Sequence, residues 1–175
     1  MEGAENKVID HRAFTSKEET TFLAETVGMD KIIVEVGSYI GRTTCELAKG
    51  NIVIAIDPFV SGFDPRESHM MNMDGVEERF RVNIKGKSVI WFKEKSEEVL
   101  SHWVMPIDGV FIDGKHSTKA LTIDLGWVEH VKPGGILAFH DYGFSPEVTD
   151  VIDAEIKPKY EEIGRVRFLI IFRKK

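Results

Sequence analysis

The stretch IIVEVGSYIGRTT, Ile32 to Thr44, joins an apolar, β-branched run to a turn that contains two glycines. The run KIIVEV, residues 31–36, is typical of a strand buried on both faces of a parallel sheet. Gly37 and Gly41 would let the backbone approach a ligand closely beyond the strand end. They stand four residues apart and do not form the G-x-G-x-x-G pattern that binds a dinucleotide pyrophosphate. The stretch therefore predicts a nucleotide-binding type of fold with a different ligand.

The composition is typical of an ordinary soluble globular protein. The chain has 175 residues, of which 42% are hydrophobic and 30% are charged, so we expect a single domain over residues 1–175. A net charge of -6 argues against broad binding to a phosphate backbone, and we expect no nucleic-acid partner. The single cysteine, Cys45, excludes an internal disulfide and a multi-cysteine zinc site. Because no segment approaches the roughly 20 apolar residues of a membrane span and the N-terminus has no signal-peptide core, we expect a cytoplasmic protein without a membrane partner.

Strand-like and helix-like segments alternate along nearly the whole chain, which predicts a parallel sheet covered by helices on both sides. After the first strand, the predicted strands are 51–57, 87–92, 108–113, 136–141 and 167–172, with a weaker strand at 160–163. The predicted helices are 16–27, 41–49, 75–84, 96–103, 117–131 and 148–156. The short separation of the last two strands, at Gly164 and Arg165, predicts an antiparallel hairpin.

Local signals set the predicted ends of these elements. Ser16 and Glu19 have the spacing of a capping box, and Ser96 is the predicted cap of the fourth helix. Gly50 is the predicted C-terminal cap of the second helix, and the turn at 133–135 (Pro-Gly-Gly) precedes the fifth strand. Residues 58–74 have no periodic pattern, which predicts a long mobile loop. Its phenylalanines and methionines would form either a lid over a bound substrate or a dimer contact.

Four of the predicted strand ends carry a carboxylate, namely Glu35, Asp57, Asp113 and Asp141. Ligands of such sheets bind beyond the carboxyl ends of the strands, so we expect these acids to converge. Asp57 follows Gly37 by about twenty residues, the offset at which an acid holds ribose hydroxyls. Ser38, Tyr39 and Ile40 fill the place of a pyrophosphate, and Glu35 could meet a ligand ammonium. A ribose with an amino-acid tail describes S-adenosylmethionine better than NAD, although an NAD-binding Rossmann domain remains an alternative.

The ordered motifs resemble those of class I S-adenosylmethionine-dependent methyltransferases. The pattern E-x-G-x-x-x-G-x-[ST] begins at Glu35, D-G-x-H begins at Asp113, and Pro-Gly-Gly is followed by His140 and Asp141. This set is most similar to the small branch that includes methyltransferase family 24. The resemblance implies a Rossmann-like sheet of seven mostly parallel strands in the order 3-2-1-4-5-7-6, with strand 7 antiparallel and helices on both faces.

The resemblance also implies where the cofactor binds. The residues that would line its methionine moiety are Glu35, Gly37, Ser38, Tyr39 and Gly41. Asp57 would hold the ribose, with Pro58 and Phe59 near the adenine and Lys95 and Ser96 at the adenine edge. Asp113 would lie beside the sulfonium. Thr43 and Thr44 are more consistent with helix packing or capping than with ligand binding.

Two routes could activate a methyl acceptor. Related O-methyltransferases of sugars and catechols hold a divalent metal with acids after strands four and five, where this chain has Asp113 and Asp141. Two carboxylates suit Mg²⁺, and the addition of His140 suits Mn²⁺, Fe²⁺ or Zn²⁺ at least as well. His116 offers a metal-free route, because histidine can accept a proton near neutral pH; it could instead cap the next helix or contact the turn. Asp124 matches the same branch and could tether His116 or a loop.

The sequence therefore predicts a methyltransferase that acts on an oxygen of a small molecule or sugar. The alternative is a non-catalytic or partner-dependent module that keeps the cofactor pocket, which a homodimer could complete. A nucleic-acid methyltransferase is disfavoured by the charge. It is also disfavoured because no [ND]-P-P-Y signature follows the fourth strand.

Overall fold

The structure is a computed structural model that describes residues 14–60 and 75–175. Its strands are β1 Ile32–Val36, β2 Ile52–Ile56, β3 Val89–Phe92, β4 Ile107–Ile112, β5 Val131–Phe139, β6 Glu161–Val166 and β7 Leu169–Arg173. Its helices are α1 Lys17–Val27, α2 Arg42–Leu47, α3 Val76–Asn83, α4 Ser96–Leu100, α5 Thr118–Asp124, α6 Trp127–His130 and α7 Pro146–Glu155. From position 61 onward, the predicted lid loop 58–74 lies outside the described residues.

All of these strands belong to one sheet with the order β3-β2-β1-β4-β5-β7-β6. Strands β1 to β5 pair in parallel, and β7 runs antiparallel to both β5 and β6. The predicted strand order and the antiparallel seventh strand are confirmed. The direction of the chain across the sheet reverses between β1 and β4, which is the switch point at which ligands of such sheets bind.

Side chains of the strands alternate between two hydrophobic cores, one on each face of the sheet. The core shared with α4 to α7 includes Val34, Val110, Leu121, Trp127 and Ile152. The core shared with α1 to α3 includes Ile33, Phe111, Leu23, Leu47 and Phe80. Because both faces are covered, β1 is apolar at every position except Glu35. None of the helices in the described ranges is long and apolar enough to span a bilayer.

Three predicted boundaries in the C-terminal half are wrong. Strand β5 begins at Val131, and the Pro-Gly-Gly segment belongs to it because Lys174 bonds to both glycines. Gly134 N donates to Lys174 O at 2.7 Å, and Lys174 N donates to Gly135 O at 2.9 Å. Gly164 lies inside β6, and the hairpin turns at Arg167, whose φ is 53°. The predicted helix 117–131 is divided into α5 and α6.

Two predicted helix caps are also wrong. Helix α2 ends at Leu47 with Ala48 as its C-terminal cap, so Gly50 does not cap it. Helix α4 begins at Ser96, and the preceding Lys95 is the N-cap. The Ser96 hydroxyl instead accepts a hydrogen bond from Trp127 Nε1 at 2.8 Å. By contrast, the capping box at the start of α1 is confirmed.

Candidate active site

The backbone brings the ends of four parallel strands to one edge of the sheet. Asp113 N donates to Val36 O at 2.8 Å, and His140 N donates to Ile112 O at 3.1 Å. Asp57 N donates to Phe92 O at 3.1 Å. These bonds continue the parallel ladder by one residue past each strand. The predicted convergence of the strand-end residues therefore follows directly from strand pairing.

Both glycines of the first turn adopt left-handed backbone angles, with φ of 88° at Gly37 and 81° at Gly41. A Cβ on Gly37 would lie 2.2 Å from Asp113 O, and a Cβ on Gly41 would lie 2.9 Å from Phe80 Cδ2. The structural reason for these glycines is therefore close packing of the protein against itself. The approach of a ligand to Gly37 and Gly41 stays a prediction.

Asp57, at the end of β2, accepts hydrogen bonds from the segment after β1 and from the segment after β2. Its Oδ2 accepts a hydrogen bond from Tyr39 N at 2.8 Å, and its Oδ1 accepts one from Phe59 N at 2.7 Å. Tyr39 and Phe59 have φ of 47° and 50°, an uncommon conformation that the neighbouring structure must hold in place. Burial raises the pKa of Asp57, although the backbone donors oppose the shift. Pro58, between the two anchored residues, is half-buried.

Glu35 is only 1% exposed, and no described cation pairs with it. Its Oε2 accepts hydrogen bonds from the Ser38 hydroxyl at 3.0 Å and from the Thr44 hydroxyl. Burial raises the pKa of Glu35 to about 8, and the nearby charges of Asp113 and Asp57 add to the rise. From the sequence, Thr44 is expected to pack or cap the helix, and its contact with Glu35 is not anticipated.

Asp113, His140 and Asp141 form a compact cluster at the ends of β4 and β5. One ligand atom from each lies within 4.8 Å of the others. His140 Nδ1 is 3.3 Å from Asp113 Oδ1 and 3.2 Å from Asp141 Oδ2. Asp141 has a left-handed φ of 60°, so the backbone is strained where the cluster forms. One nitrogen and two carboxylate oxygens are a donor set that suits a divalent metal.

Each member of this cluster has a further partner outside it. The Thr15 hydroxyl donates to Asp113 Oδ2 at 3.1 Å. His116 Nε2 lies 2.7 Å from Asp141 Oδ2, and His140 Nε2 lies 3.4 Å from Glu19 Oε1. His116 was predicted, whereas the contacts of Thr15 and Glu19 were not. The capping-box pattern gave Glu19 a sufficient local role and so hid the distant one.

Burial disfavours the charged forms of His140 and Asp141, but neighbouring groups of opposite charge favour them more strongly. Burial lowers the pKa of His140, but Asp113 and Asp141 outweigh this effect and raise it to about 11. Burial likewise raises the pKa of Asp141, yet the neighbouring imidazoles of His116 and His140 hold that pKa well below its usual range. Neither ring nitrogen of His140 has an aligned hydrogen bond among the described residues, although both are buried.

The predicted adenine-edge residues lie at the start of α4. Lys95 is exposed, and its backbone N donates to Glu98 Oε2 at 3.0 Å. Ser96 bonds to Trp127 and to the carboxylate of Asp124. Burial raises the pKa of Asp124 to about 6, and the Ser96 hydroxyl partly offsets this rise. Asp124 therefore contacts the first residue of α4, and its predicted tethering of His116 or a loop stays a prediction.

A family of methyltransferase domains matches residues 34–142, which include every strand-end residue described above. The matched segment is more than half of the chain. The chain belongs to this methyltransferase family. It is an S-adenosylmethionine-dependent methyltransferase, and the prediction of such an enzyme is confirmed. The alternatives of an NAD-binding domain and a non-catalytic module are set aside.

Solved structures of methyltransferases share the fold. The N-methyltransferase NodS of Bradyrhizobium japonicum WM9, in complex with S-adenosylhomocysteine, has a TM-score of 0.66 and 15% identity, covering 90% of this chain and 84% of that chain. The O-methyltransferase NovP has a TM-score of 0.62 and 19% identity, covering 89% and 75%. An rRNA methylase of Streptococcus thermophilus has a TM-score of 0.62 and 14% identity, covering 93% and 98%. At these identities the likeness shows the fold and leaves the acceptor open.

Proposed function

We propose that this methyltransferase transfers the methyl group to a hydroxyl oxygen of a small molecule or sugar. The observation that carries the proposal is the cluster of Asp113, His140 and Asp141 with His116 bound to it. A hydroxyl must lose its proton during methylation, and these groups supply either a proton acceptor or ligands for a metal that acidifies the hydroxyl.

The electrostatics of the strand ends support S-adenosylmethionine as the methyl donor. The carboxyls of Glu35 and Asp57 are held by uncharged donors, and burial raises the pKa of each. The donor carries a positively charged ammonium and sulfonium, which would compensate these buried acids, and a ribose diol, which a carboxylate can bind through both hydroxyls. The assignments of Glu35, Gly37, Ser38, Tyr39 and Gly41 to the methionine end follow the family motif and remain predictions. The same holds for Asp57 at the ribose and for Pro58, Phe59, Lys95 and Ser96 around the adenine.

In the proposed reaction, the residues of the chain align the acceptor and receive its proton. The acceptor oxygen forms the new O–CH₃ bond as the S–CH₃ bond breaks, and the sulfur keeps the electron pair of that bond. The hydroxyl proton passes to His116, whose Nε2 is oriented by Asp141 at 2.7 Å. The backbone of Asp113 packs against Gly37 of the first turn and its side chain belongs to the cluster, so Asp113 would face the sulfonium.

The cluster also fits a divalent metal, Mg²⁺ or Mn²⁺. The buried His140 Nδ1 has carboxylate oxygens on two sides but no aligned hydrogen bond, and its Nε2 faces the carboxylate of Glu19. Histidine ligands of metals typically donate their second ring N–H to a carboxylate. Asp113, His140 and Asp141 would hold the ion, which would lower the pKa of an acceptor hydroxyl.

A small acceptor is favoured over a nucleic acid. The net charge of -6 opposes the approach of a phosphate backbone. Phe14 and Phe144 are exposed apolar residues near the cluster in sequence. Phe14 precedes Thr15, which donates to Asp113, and Phe144 follows Asp141 by three residues. They would offer an apolar rim to a compact organic molecule. Closure of this rim by the predicted lid or by a second copy of the chain stays a prediction.

The test compares acceptors in matched pairs, each a hydroxyl compound and its amine analogue, with S-adenosylhomocysteine release as the readout. We expect turnover with hydroxyl compounds, among them phenols, catechols and sugars, and none with the amines. Turnover with the amines alone would contradict O-methylation. Repeating the assay with EDTA and then with added Mg²⁺ or Mn²⁺ separates the metal route from the His116 route.

A further inference from the structure

We propose that residues 14–19, the start of α1 and the three residues before it, form an inner wall of the site, in which Thr15 and Glu19 are positioning residues. Thr15 orients the carboxylate of Asp113, and Glu19 orients the imidazole of His140. The inference deepens the proposed function and rests on it for the metal, but the orientation of the two side chains can be measured independently.

Thr15 makes a contact that its place in the sequence does not require. It lies just before the N-cap Ser16, where a hydroxyl has no helical role to fill, and it is 5% exposed. Its hydroxyl donates to Asp113 Oδ2, across 98 residues of sequence. Asp113 Oδ1 is thereby left facing His140 Nδ1. The bond fixes which oxygen of Asp113 is presented to the centre of the cluster.

Glu19 divides its two oxygens between two tasks. Oε2 accepts hydrogen bonds from Ser16 N at 2.8 Å and from the Ser16 hydroxyl at 2.6 Å, which completes the capping box. Oε1 accepts one from Phe168 N at 3.1 Å and lies 3.4 Å from His140 Nε2. One oxygen would suffice for capping. The second points into the site, where it favours a proton on His140 Nε2 and directs Nδ1 toward Asp113 and Asp141.

The same segment also contacts the predicted cofactor turn. The ring of Phe14 packs against the ring of Tyr39, with centroids 5.8 Å apart. Contacts from residues 14, 15 and 19 therefore reach three separate strand ends, those of β1, β4 and β5. A helix that only covered the sheet would need no polar contact with any of them.

The chain offers a matched control for each position. Glu18 lies in the same helical turn as Glu19 but is exposed, so Glu18→Gln removes the same charge without touching the site. Thr20 is buried like Thr15, but its hydroxyl donates to Lys17 O within the helix. Thr20→Val therefore matches Thr15→Val in chemistry and burial.

The first measurement is the ¹⁵N–¹H correlation spectrum of the histidine rings in the full chain, with His140 assigned from the spectrum of His140→Asn. We expect the His140 ring signals to move in Glu19→Gln and to stay in place in Glu18→Gln. Unchanged His140 signals in Glu19→Gln would overturn the role of Glu19. If Glu19→Gln does not fold, Glu19→Asp keeps the charge and withdraws it from His140, and the same shift is expected.

The second measurement is titration with Mn²⁺ alone, with S-adenosylhomocysteine titrated separately. Glu19→Gln and Thr15→Val should each weaken Mn²⁺ binding by about 10-fold or more, as loss of a partner of a metal ligand typically does. Their affinity for S-adenosylhomocysteine should stay within about 2-fold, as should both affinities in the two controls. An equal loss of both affinities would reduce Thr15 and Glu19 to structural residues. Absence of Mn²⁺ binding in the parent protein would refute the metal, and the ring spectra would then decide the role of Glu19 alone.

Discussion

The two halves of the sheet edge hold their acids in opposite ways. In the β1–β2 half, Glu35 and Asp57 are bound only by hydroxyl and amide donors, and burial raises the pKa of each. In the β4–β5 half, Asp113 and Asp141 lie beside two imidazoles, and the pKa of Asp141 is held low. The difference teaches that one half pairs its acids with imidazoles of the same chain, whereas the other has acids that a cationic ligand would compensate.

The proposed roles in methyl transfer divide between the same two halves. In the proposed reaction, the positively charged ammonium and sulfonium of the methyl donor would complement the β1–β2 half, while groups of the β4–β5 half would remove the acceptor proton. Gly37 joins the halves, because its Cα packs against the backbone of Asp113. Variants can therefore be chosen to disturb one half and spare the other.

The largest effect is expected for Asp57→Ala in the β1–β2 half. The change removes an acceptor for the ribose hydroxyls and releases Tyr39 N and Phe59 N, so affinity for S-adenosylhomocysteine should fall by roughly 1,000-fold. Isothermal titration measures the loss. Asp108→Ala is the control, because Asp108 also accepts a backbone N–H, from Ile32 at 2.9 Å, but at the opposite edge of the sheet. Unchanged affinity in Asp57→Ala would refute the ribose assignment.

The next effect is expected for His116→Ala in the β4–β5 half. Removing the group that receives the acceptor proton should slow turnover by about 100-fold. Affinity for S-adenosylhomocysteine should not change, since His116 lies 2.7 Å from Asp141 in the β4–β5 half, away from the proposed cofactor residues at the ends of β1 and β2. His102→Ala, at an exposed position after α4, controls for the loss of a histidine. Full activity in His116→Ala would leave His116 as a structural partner of Asp141.

The last effect concerns stability: Glu35→Gln should change how the free energy of unfolding depends on pH. The pKa of Glu35 rises from 4.5 to about 8 on folding, so the folded chain binds more protons than the unfolded chain between these values. The free energy of unfolding of the parent must therefore fall as pH rises through that window. Glutamine cannot ionise, so the variant should gain roughly 3 kcal/mol of stability relative to the parent between pH 5 and pH 8.

Chemical denaturation at the two pH values checks this expectation. Glu25→Gln, at an exposed position of α1, is the control and should show no such divergence. If Glu35→Gln and the parent lose stability in parallel between pH 5 and pH 8, Glu35 ionises freely in the folded chain. The contrast between the two halves would then be wrong on the β1–β2 side.

Most of the fold could be predicted because its strands are local, apolar and β-branched. Strand β1 and the convergence of Glu35, Asp57, Asp113 and Asp141 follow from such runs and from parallel pairing. The strand order came from the resemblance to a family. The Pro-Gly-Gly segment was misjudged because its glycines bond to Lys174, about forty residues away, and no local pattern reports such a bond.

Residues of the candidate site could be predicted where they follow a strand. They could not be predicted where they belong to an element distant in sequence. Asp113, His116, His140 and Asp141 follow their strands directly. Thr15 and Glu19 reach the same place from a helix near the N-terminus, and the capping box already accounted for Glu19. The close packing of Gly37 against the backbone of Asp113 could not be predicted, because that contact depends on strand pairing.

The bond between Glu19 and Phe168 has a consequence for the order in which the protein is made. It joins residues separated by 149 positions, so a growing chain cannot form it until the final hairpin has been synthesised. Helix α1 leaves the ribosome long before that hairpin, so its inner wall can be fastened only after Phe168 has been synthesised. A nascent chain that ends before Phe168 would carry every strand-end residue of the site and yet lack the backbone donor that holds Glu19 beside His140. Assembly of the inner wall therefore waits on the β6–β7 hairpin.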